Sequence, residues 1–262
     1  VIPVEAHLRA RREQGAKILS LYVTAGLPGW TDVLEAAVAG GADAIEVGIP
    51  FSDPIMDGPV IQAASARALA AGATLPSILA EVRTLDVDVP LIAMTYYNIV
   101  ARQGDARAAA ELADAGIAGV ILPDLQLDEL DGWADEADRN NVATVLLAAP
   151  TTPDDRLREI AARTRGFLYA VSLLGVTGER DSLAAEAVTM GQRCKAVTDV
   201  PVLLGVGISN PAQAGAAAAA ADGVVVGSAL MRRVLDGASP EAIHTFVAEL
   251  RSGLDAGVSA AS

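Results

Sequence analysis

The sequence predicts an α/β fold: a single (β/α)8 barrel with an extra helix at its N-terminus, occupying residues 1–262 as one domain. Three observations carry this. Eight short apolar runs recur along the chain, amphipathic stretches lie between them, and 262 residues is the size that eight strand–helix units need. Each run is apolar almost throughout, as a strand must be when both faces of a parallel sheet are covered. The alternative, a doubly wound open sheet, calls for a Gly-rich dinucleotide turn after the first strand. This chain has Thr24-Ala25-Gly26-Leu27-Pro28-Gly29 there instead.

Taken in order, the first strand is Ile18–Tyr22, followed by a helix over Thr31–Ala39 and a second strand over Ala44–Gly48. A helix over Leu75–Thr84 leads to the third strand, Leu91–Met94, and one over Ala106–Ala115 to the fourth, Val120–Leu122. Leu127–Arg139 and Pro153–Arg163 are the helices on either side of the fifth strand, Ala143–Leu147. Phe167–Val171, Val202–Leu204 and Val224–Val226 complete the eight. Thr31-Asp32, Thr74 before Pro76, and Thr152 before Pro153 each offer a capping oxygen ahead of an apolar period. Gly41-Ala42-Asp43, Gly116-Ile117-Ala118-Gly119 and Ala221-Asp222-Gly223 end helices and lead into strands. The alanine run 216–221 reads as a tightly packed helix, and the tail after Asp255 is small and polar enough to fray.

Composition removes several function classes. A formal charge of −14 leaves no basic groove for phosphate backbones. Cys194 is the only cysteine, so an internal disulfide is impossible and a reducing, cytoplasmic setting fits. A Schiff-base aldolase needs a lysine on a strand, but Lys17 precedes the first strand and Lys195 sits in the helix before the seventh. His7 and His244 lie in the two terminal segments, which disfavours a metal-dependent mechanism. What remains is acid–base chemistry by carboxylates, with no metal.

Chemistry in this fold sits at the C-terminal ends of the strands. Glu46 interrupts an otherwise apolar strand, and no Arg lies in any of the eight strands to pair with it. A carboxyl buried without a cation has a raised pKa and is suited to proton transfer near neutrality. The loop that follows offers Asp53, which an Asx turn explains, and Asp57, which a turn or a substrate explains equally. Asp124 at the fourth strand end either orients a neighbour or caps the next helix. Gly175-Val176-Thr177-Gly178, Gly205-Val206-Gly207 and Gly227-Ser228 follow the last three strands, where backbone amides and a helix start can hold one phosphate. The few aromatics, Tyr22, Phe51, Tyr96, Tyr97 and Tyr169, lie on or just after strands, either filling the core or lining a flat apolar pocket.

The run Glu46-Val47-Gly48-Ile49-Pro50-Phe51-Ser52-Asp53-Pro54-Ile55-Met56-Asp57-Gly58-Pro59 closely resembles the signature of the tryptophan synthase alpha subunit family. That family's other landmarks follow in order: Tyr22-Val23-Thr24-Ala25-Gly26, Met94-Thr95-Tyr96-Tyr97-Asn98, Pro123-Asp124-Leu125, Gly175–Gly178, Gly205–Ile208 and Gly227-Ser228-Ala229. The resemblance implies retro-aldol cleavage of indole-3-glycerol phosphate to indole and glyceraldehyde 3-phosphate. By the same resemblance Glu46 is the general acid–base and Asp57 the carboxylate at the indole nitrogen. Tyr169 matches the family's active-site tyrosine, with Tyr22, Tyr96 and Val171 around the indole. Gly178, Gly207, Gly227 and Ser228 hold the phosphate, and Thr177 helps close the site over Asp57.

The family works as an α2β2 complex, so Asp53, Pro54 and Asn98 are expected at the interface with a beta subunit. Pyridoxal phosphate is expected only in that partner, with no cofactor in this chain. Two departures stand out: Leu27 where Asp is common, and Leu173-Leu174 where polar residues are usual. Three alternatives stay open: a stand-alone lyase that releases indole, a non-catalytic binder of a phosphorylated ligand, and a phosphosugar isomerase.

Overall fold

The computed structural model describes residues 1–171 and 180–261. Eight parallel strands close into a barrel in sequence order: β1 Ile18–Thr24, β2 Ala44–Gly48, β3 Leu91–Met94, β4 Ile117–Ile121, β5 Ala143–Ala148, β6 Leu168–Val171, β7 Val202–Gly205 and β8 Gly223–Val226. Around them run α1 Val4–Glu13, α2 Trp30–Ala39, α3 Pro59–Ala70, α4 Leu75–Val82, α5 Tyr97–Ala101 and α6 Asp105–Asp114. The rest of the shell is α7 Asp131–Arg139, α8 Asp154–Arg163, α9 Arg180–Lys195, α10 Pro211–Ala218, α11 Ser228–Leu235 and α12 Pro240–Ala261. This is the (β/α)8 barrel that the eight apolar runs predict, with α1 as the extra helix. Among the described residues no helix is long and apolar enough to cross a membrane.

Successive strand residues alternate between two cores, which is why the runs are apolar without a break. Ile18, Ala44, Ile92, Val145, Phe167, Leu203 and Val225 fill the barrel interior. Their neighbours Leu19, Ile45, Leu91, Leu146, Leu168, Leu204 and Val224 face the helices. Ser20 and Glu46 share the parity of Ile18 and Ala44, so both carry polar atoms into the interior. Val4 and Leu8 of α1 join the interior core and plug the barrel floor. Gly119 and Gly166 make room for the plug, since a Cβ on either would approach Val4 to 3.2 and 3.1 Å.

The acids that precede strands belong to this floor. Asp43 accepts the Leu19 amide at 2.8 Å, Arg11 Nε at 2.6 Å and Arg251 Nη1 at 3.0 Å. Asp222 accepts the Val202 amide at 2.8 Å and Lys195 Nζ at 2.8 Å. These pairs stitch α1, α9 and α12 to the end of the barrel opposite the chemistry.

Several local expectations are corrected. β4 begins at Ile117, not Val120, because Gly116 at φ 93° already turns the chain and Gly119 lies within the strand. α2 starts at Trp30 after Gly29 at φ 72°, so Thr31-Asp32 lies inside the helix and caps nothing. Thr74 does cap α4, in a box with Ser77. Thr152 does not cap α8; its hydroxyl accepts the Ala149 amide at 3.0 Å. Leu127–Arg139 is broken into a short 3-10 turn, Leu127–Glu129, and α7. The tail expected to fray continues α12 to Ala261. The alanine run is helical as far as Ala218, on a helix that packs closely against α12: a Cβ on Gly215 would lie 2.8 Å from the Gly253 carbonyl oxygen.

Candidate active site

Glu46 sits in the middle of β2, in register with Tyr22 on β1 and Ile92 on β3, and is wholly buried. Among the described residues no Arg or Lys acts on its charge. Ser20 Oγ donates to its Oε1 over a long 3.4 Å, and Oε2 has no hydrogen-bond partner among the described residues. Burial drives the carboxyl pKa up to about 8, against the smaller downward pull of the Ser20 hydroxyl. At neutral pH this side chain is therefore an acid holding its proton.

Asp57 is placed by a loop fastened from two sides. Tyr96, at the end of β3, accepts the Met56 amide on its Oη at 2.9 Å and donates to Asp57 Oδ2 at 3.2 Å. Phe51 stacks on the Tyr96 ring, centroids 5.0 Å apart. From α3, Gln62 Nε2 donates to the carbonyls of Asp57 at 2.8 Å and Pro54 at 3.2 Å. Partial burial raises the Asp57 pKa, while the Tyr96 hydroxyl favours its ionised form. Tyr96→Phe removes both phenolic bonds, each worth about 1 kcal/mol. Loosening the loop by that amount is expected to lower kcat/KM roughly 5- to 30-fold, read by steady-state kinetics.

Tyr22 and Tyr169 bring the two carboxyls into one site. Burial holds both phenols neutral, and the negative charges of Glu46 and Asp57 act on each in the same direction. Glycines make room for both rings. A Cβ on Gly48 would lie 2.0 Å from Tyr22 Oη, and one on Gly205 would lie 2.5 Å from Tyr169 Cε2. Gly205, read from sequence as part of an anion-binding turn, thus also provides space for a ring.

Val171 is half-buried where β6 ends. Gly207 follows β7 at φ 71°, a conformation open to glycine. Gly227 precedes α11, whose first residue is Ser228, and the amides of Leu230 and Met231 both turn to the Gly227 carbonyl at 3.0 Å. The first amides of the helix have no intrahelical acceptor and suit an anion. Thr177, Gly178 and Leu173-Leu174 lie outside the described residues.

On the rim, Asp53 is exposed and accepts Ser52 Oγ at 2.6 Å, where an Asx turn would use backbone amides. Asn98 is exposed on α5 and Pro54 is partly covered. Asp124 caps a helix, but it is the preceding α5, through the Tyr97 amide at 2.9 Å. Tyr97 turns away to donate to Asp105 at 3.1 Å.

Sequence reasoning missed four participants: Ser20, the Tyr96–Asp57 bond, Gly48, and the exposed pair Ile55 and Met56. Two had a signal: Ser20 is a hydroxyl inside an apolar run, and Ile55 and Met56 are large apolar residues in a loop otherwise made for turns. Among the described residues no group of three or more His, Cys, Asp or Glu could hold a metal ion.

A protonated carboxyl at the strand and a second carboxyl on the loop above it can move a proton onto a bound molecule and steady the charge that results. Fold and site together are those of a barrel with a candidate acid–base centre. Comparison with known proteins narrows this further. The family model for the tryptophan synthase alpha chain matches residues 8–256. The tryptophan synthase alpha chain of Streptomyces coelicolor is 44% identical over 256 residues, covering 94% of each chain. That of Thermobifida fusca is 44% identical over 260 residues, covering 95% of this chain and 96% of its own. Among solved structures, tryptophan synthase subunit alpha from Legionella pneumophila superposes with a TM-score of 0.89 at 32% identity, covering 98% of this chain and all of that one. Tryptophan synthase from M. tuberculosis gives 0.87 at 34%, covering 96% and 97%.

The chain belongs to the tryptophan synthase alpha chain family. Membership gives the reaction: lyase cleavage of indole-3-glycerol phosphate, a step of tryptophan biosynthesis.

Proposed function

We propose that Glu46 and Asp57 divide the work of this cleavage, with residues 1–262 acting as one domain. The observation that carries the reading is Glu46 itself, a wholly buried carboxyl whose pKa of about 8 keeps it protonated at neutral pH. Glu46 gives its proton to indole C3, producing an indolenine with a positive nitrogen. The Asp57 carboxylate steadies that nitrogen. The Glu46 carboxylate then takes the proton of the glycerol hydroxyl, the carbon–carbon bond breaks, and its electron pair returns to the indole ring. Indole and glyceraldehyde 3-phosphate leave, and Glu46 is protonated as at the start. One carboxyl protonated by its surroundings and one held ready to ionise is the usual way for two acids to take different roles. Because Glu46 is fully covered in this structure, its side chain or the Tyr22 and Tyr169 rings must turn for indole to reach it.

In this reading Tyr22, Tyr96, Tyr169 and Val171 surround the indole. The amides of Gly178, Gly207 and Gly227, with Ser228, hold the phosphate, and Thr177 closes over Asp57. The chain carries no cofactor of its own. It docks on a beta subunit that holds pyridoxal phosphate, in a cytoplasmic α2β2 assembly. The docking loop contains Asp53 and Pro54, with Asn98 beside it. Ile55 is 82% exposed and Met56 58% exposed in the same loop, an apolar pair that a partner would cover. Asp57 follows them directly, so docking and catalysis share one loop.

The test is indole release from indole-3-glycerol phosphate by the purified chain, with and without beta subunit. The expected result is slow turnover that rises strongly with the partner, and a loss of roughly 100-fold in kcat for Asp57→Asn. Fast turnover indifferent to the partner identifies a stand-alone lyase. No indole under either condition identifies a binder and overturns the mechanism.

A further inference from the structure

Among the described residues, hydrocarbon and rings flank Glu46 with one exception. β3 presents Ile92 beside it, and the titratable groups coupled to it are Tyr22 from β1 and Tyr169 from β6, both of which Asp57 of the loop after β2 also reaches. Both phenols are held neutral by burial and donate no charge. The exception is Ser20, wholly buried on β1 with its hydroxyl 3.4 Å from Glu46 Oε1. A hydroxyl is an unexpected side chain in that place. The residues in register with it on the two neighbouring strands, Ala44 of β2 and Val225 of β8, are hydrocarbon. Burying a hydroxyl costs free energy unless it finds a partner, and the acceptor recorded for this one is Glu46.

We infer that Ser20 is a positioning residue for the lyase reaction: it fixes Glu46 through Oε1, leaves Oε2 as the oxygen that exchanges the proton, and sets the pH at which the carboxyl ionises. The asymmetry is in the geometry, since one carboxyl oxygen has a donor and the other, equally buried, has none among the described residues. A hydrogen bond to an ionised oxygen is shorter and stronger than one to a neutral acid. The long 3.4 Å contact therefore tightens when Glu46 has given up its proton, at the moment the carboxylate must wait for the glycerol hydroxyl. Ser20 itself touches no reacting atom. The inference rests on the assignment of Glu46 as the proton-transfer group and names what tunes it.

Ser20→Ala, Ser20→Cys and Ser20→Thr test it, each assayed as the full chain with its beta subunit. Removing the donor favours the neutral acid, so the alkaline limb of the kcat profile in Ser20→Ala is expected to move up by roughly 0.5–1 pH unit. KM should stay within about twofold. Thr keeps the hydroxyl and should return the limb to its original pH, and Cys, a weaker donor of similar size, should fall between. Carbon-13 NMR titration of the Glu46 carboxyl in the same variants must show the same displacement, and it reads the contact whether or not turnover depends on Glu46. An unmoved carboxyl titration in Ser20→Ala overturns the inference, even if the variant melts at a lower temperature, because a packing role alone leaves the titration where it was. Full activity in Glu46→Gln overturns the assignment of Glu46 instead, and the NMR displacement distinguishes the two failures.

Discussion

Glu46→Gln is expected to abolish indole formation, lowering kcat by roughly 10³- to 10⁴-fold, while making the folded protein more stable at alkaline pH. Glutamine has the shape of a protonated glutamate but no proton to give to a carbon, so substrate binding survives and KM should change little. The stability effect follows from burial. Below pH 4.5 the carboxyl is protonated whether the chain is folded or not, and wild type and variant are equally stable. As the pH rises, the unfolded chain ionises Glu46 freely from about 4.5, while the folded chain resists until about 8. Wild-type stability is lost across that window and levels off above it, by up to about 5 kcal/mol at about 1.4 kcal/mol per pH unit. The glutamine side chain does not titrate, so the difference between variant and wild type isolates this one group. Urea midpoints near pH 3.5 and pH 8.5 should coincide at the first and separate at the second. A difference that is flat with pH would mean that Glu46 is not the buried acid described above.

The barrel was legible because its signal is local. A continuous apolar run is dictated by burial on both faces, and that condition is written into every strand from Ile18 to Val226. The eight runs therefore marked all eight strands, and misjudged ends such as that of β4 came from glycines whose conformation depends on distant neighbours. Gly119 lies within a strand because Val4, 115 residues earlier in the chain, needs the space. Glu46 was legible for the opposite reason: a carboxyl in an apolar strand contradicts its surroundings, and such contradictions mark functional positions. The support around it was not legible. Ser20 and Glu46 are 26 residues apart, and Tyr96 and Asp57 are 39 apart. Only closure of the barrel puts each pair together. A serine near the start of a strand, or a tyrosine after one, has no local mark that says which carboxylate it serves. Helix starts failed in the same way, since Thr31 looks like a cap until Gly29 is seen to turn the chain first.

The glycines at the strand ends show how a residue chosen for absence of bulk can shape a site, and Gly48→Ala is the second large effect expected. A Cβ at position 48 would stand 2.0 Å from Tyr22 Oη, 2.2 Å from Cζ and 2.6 Å from Cε2. These atoms belong to a rigid ring that is 7% exposed, with Gly227 close against its Cβ on another side. A ring cannot bend away from a contact this short as a flexible chain end can, so it must leave its place. Overpacking of this kind costs about 1–3 kcal/mol, measurable as a fall in the urea midpoint. The displaced tyrosine also walls the proposed indole pocket above Glu46, and a misplaced wall is expected to cost a further factor of roughly 10 to 100 in kcat/KM. Tyr22→Phe should not rescue the variant, because Cζ and Cε2 remain where the methyl group must go. Tyr22→Leu removes those atoms. In the Gly48→Ala background it should therefore cost at least about 1 kcal/mol less than it does alone, a coupling that a double-mutant cycle reads directly. Strict additivity would show that the two side chains do not compete for the same space, and that Gly48 is glycine for some reason other than Tyr22.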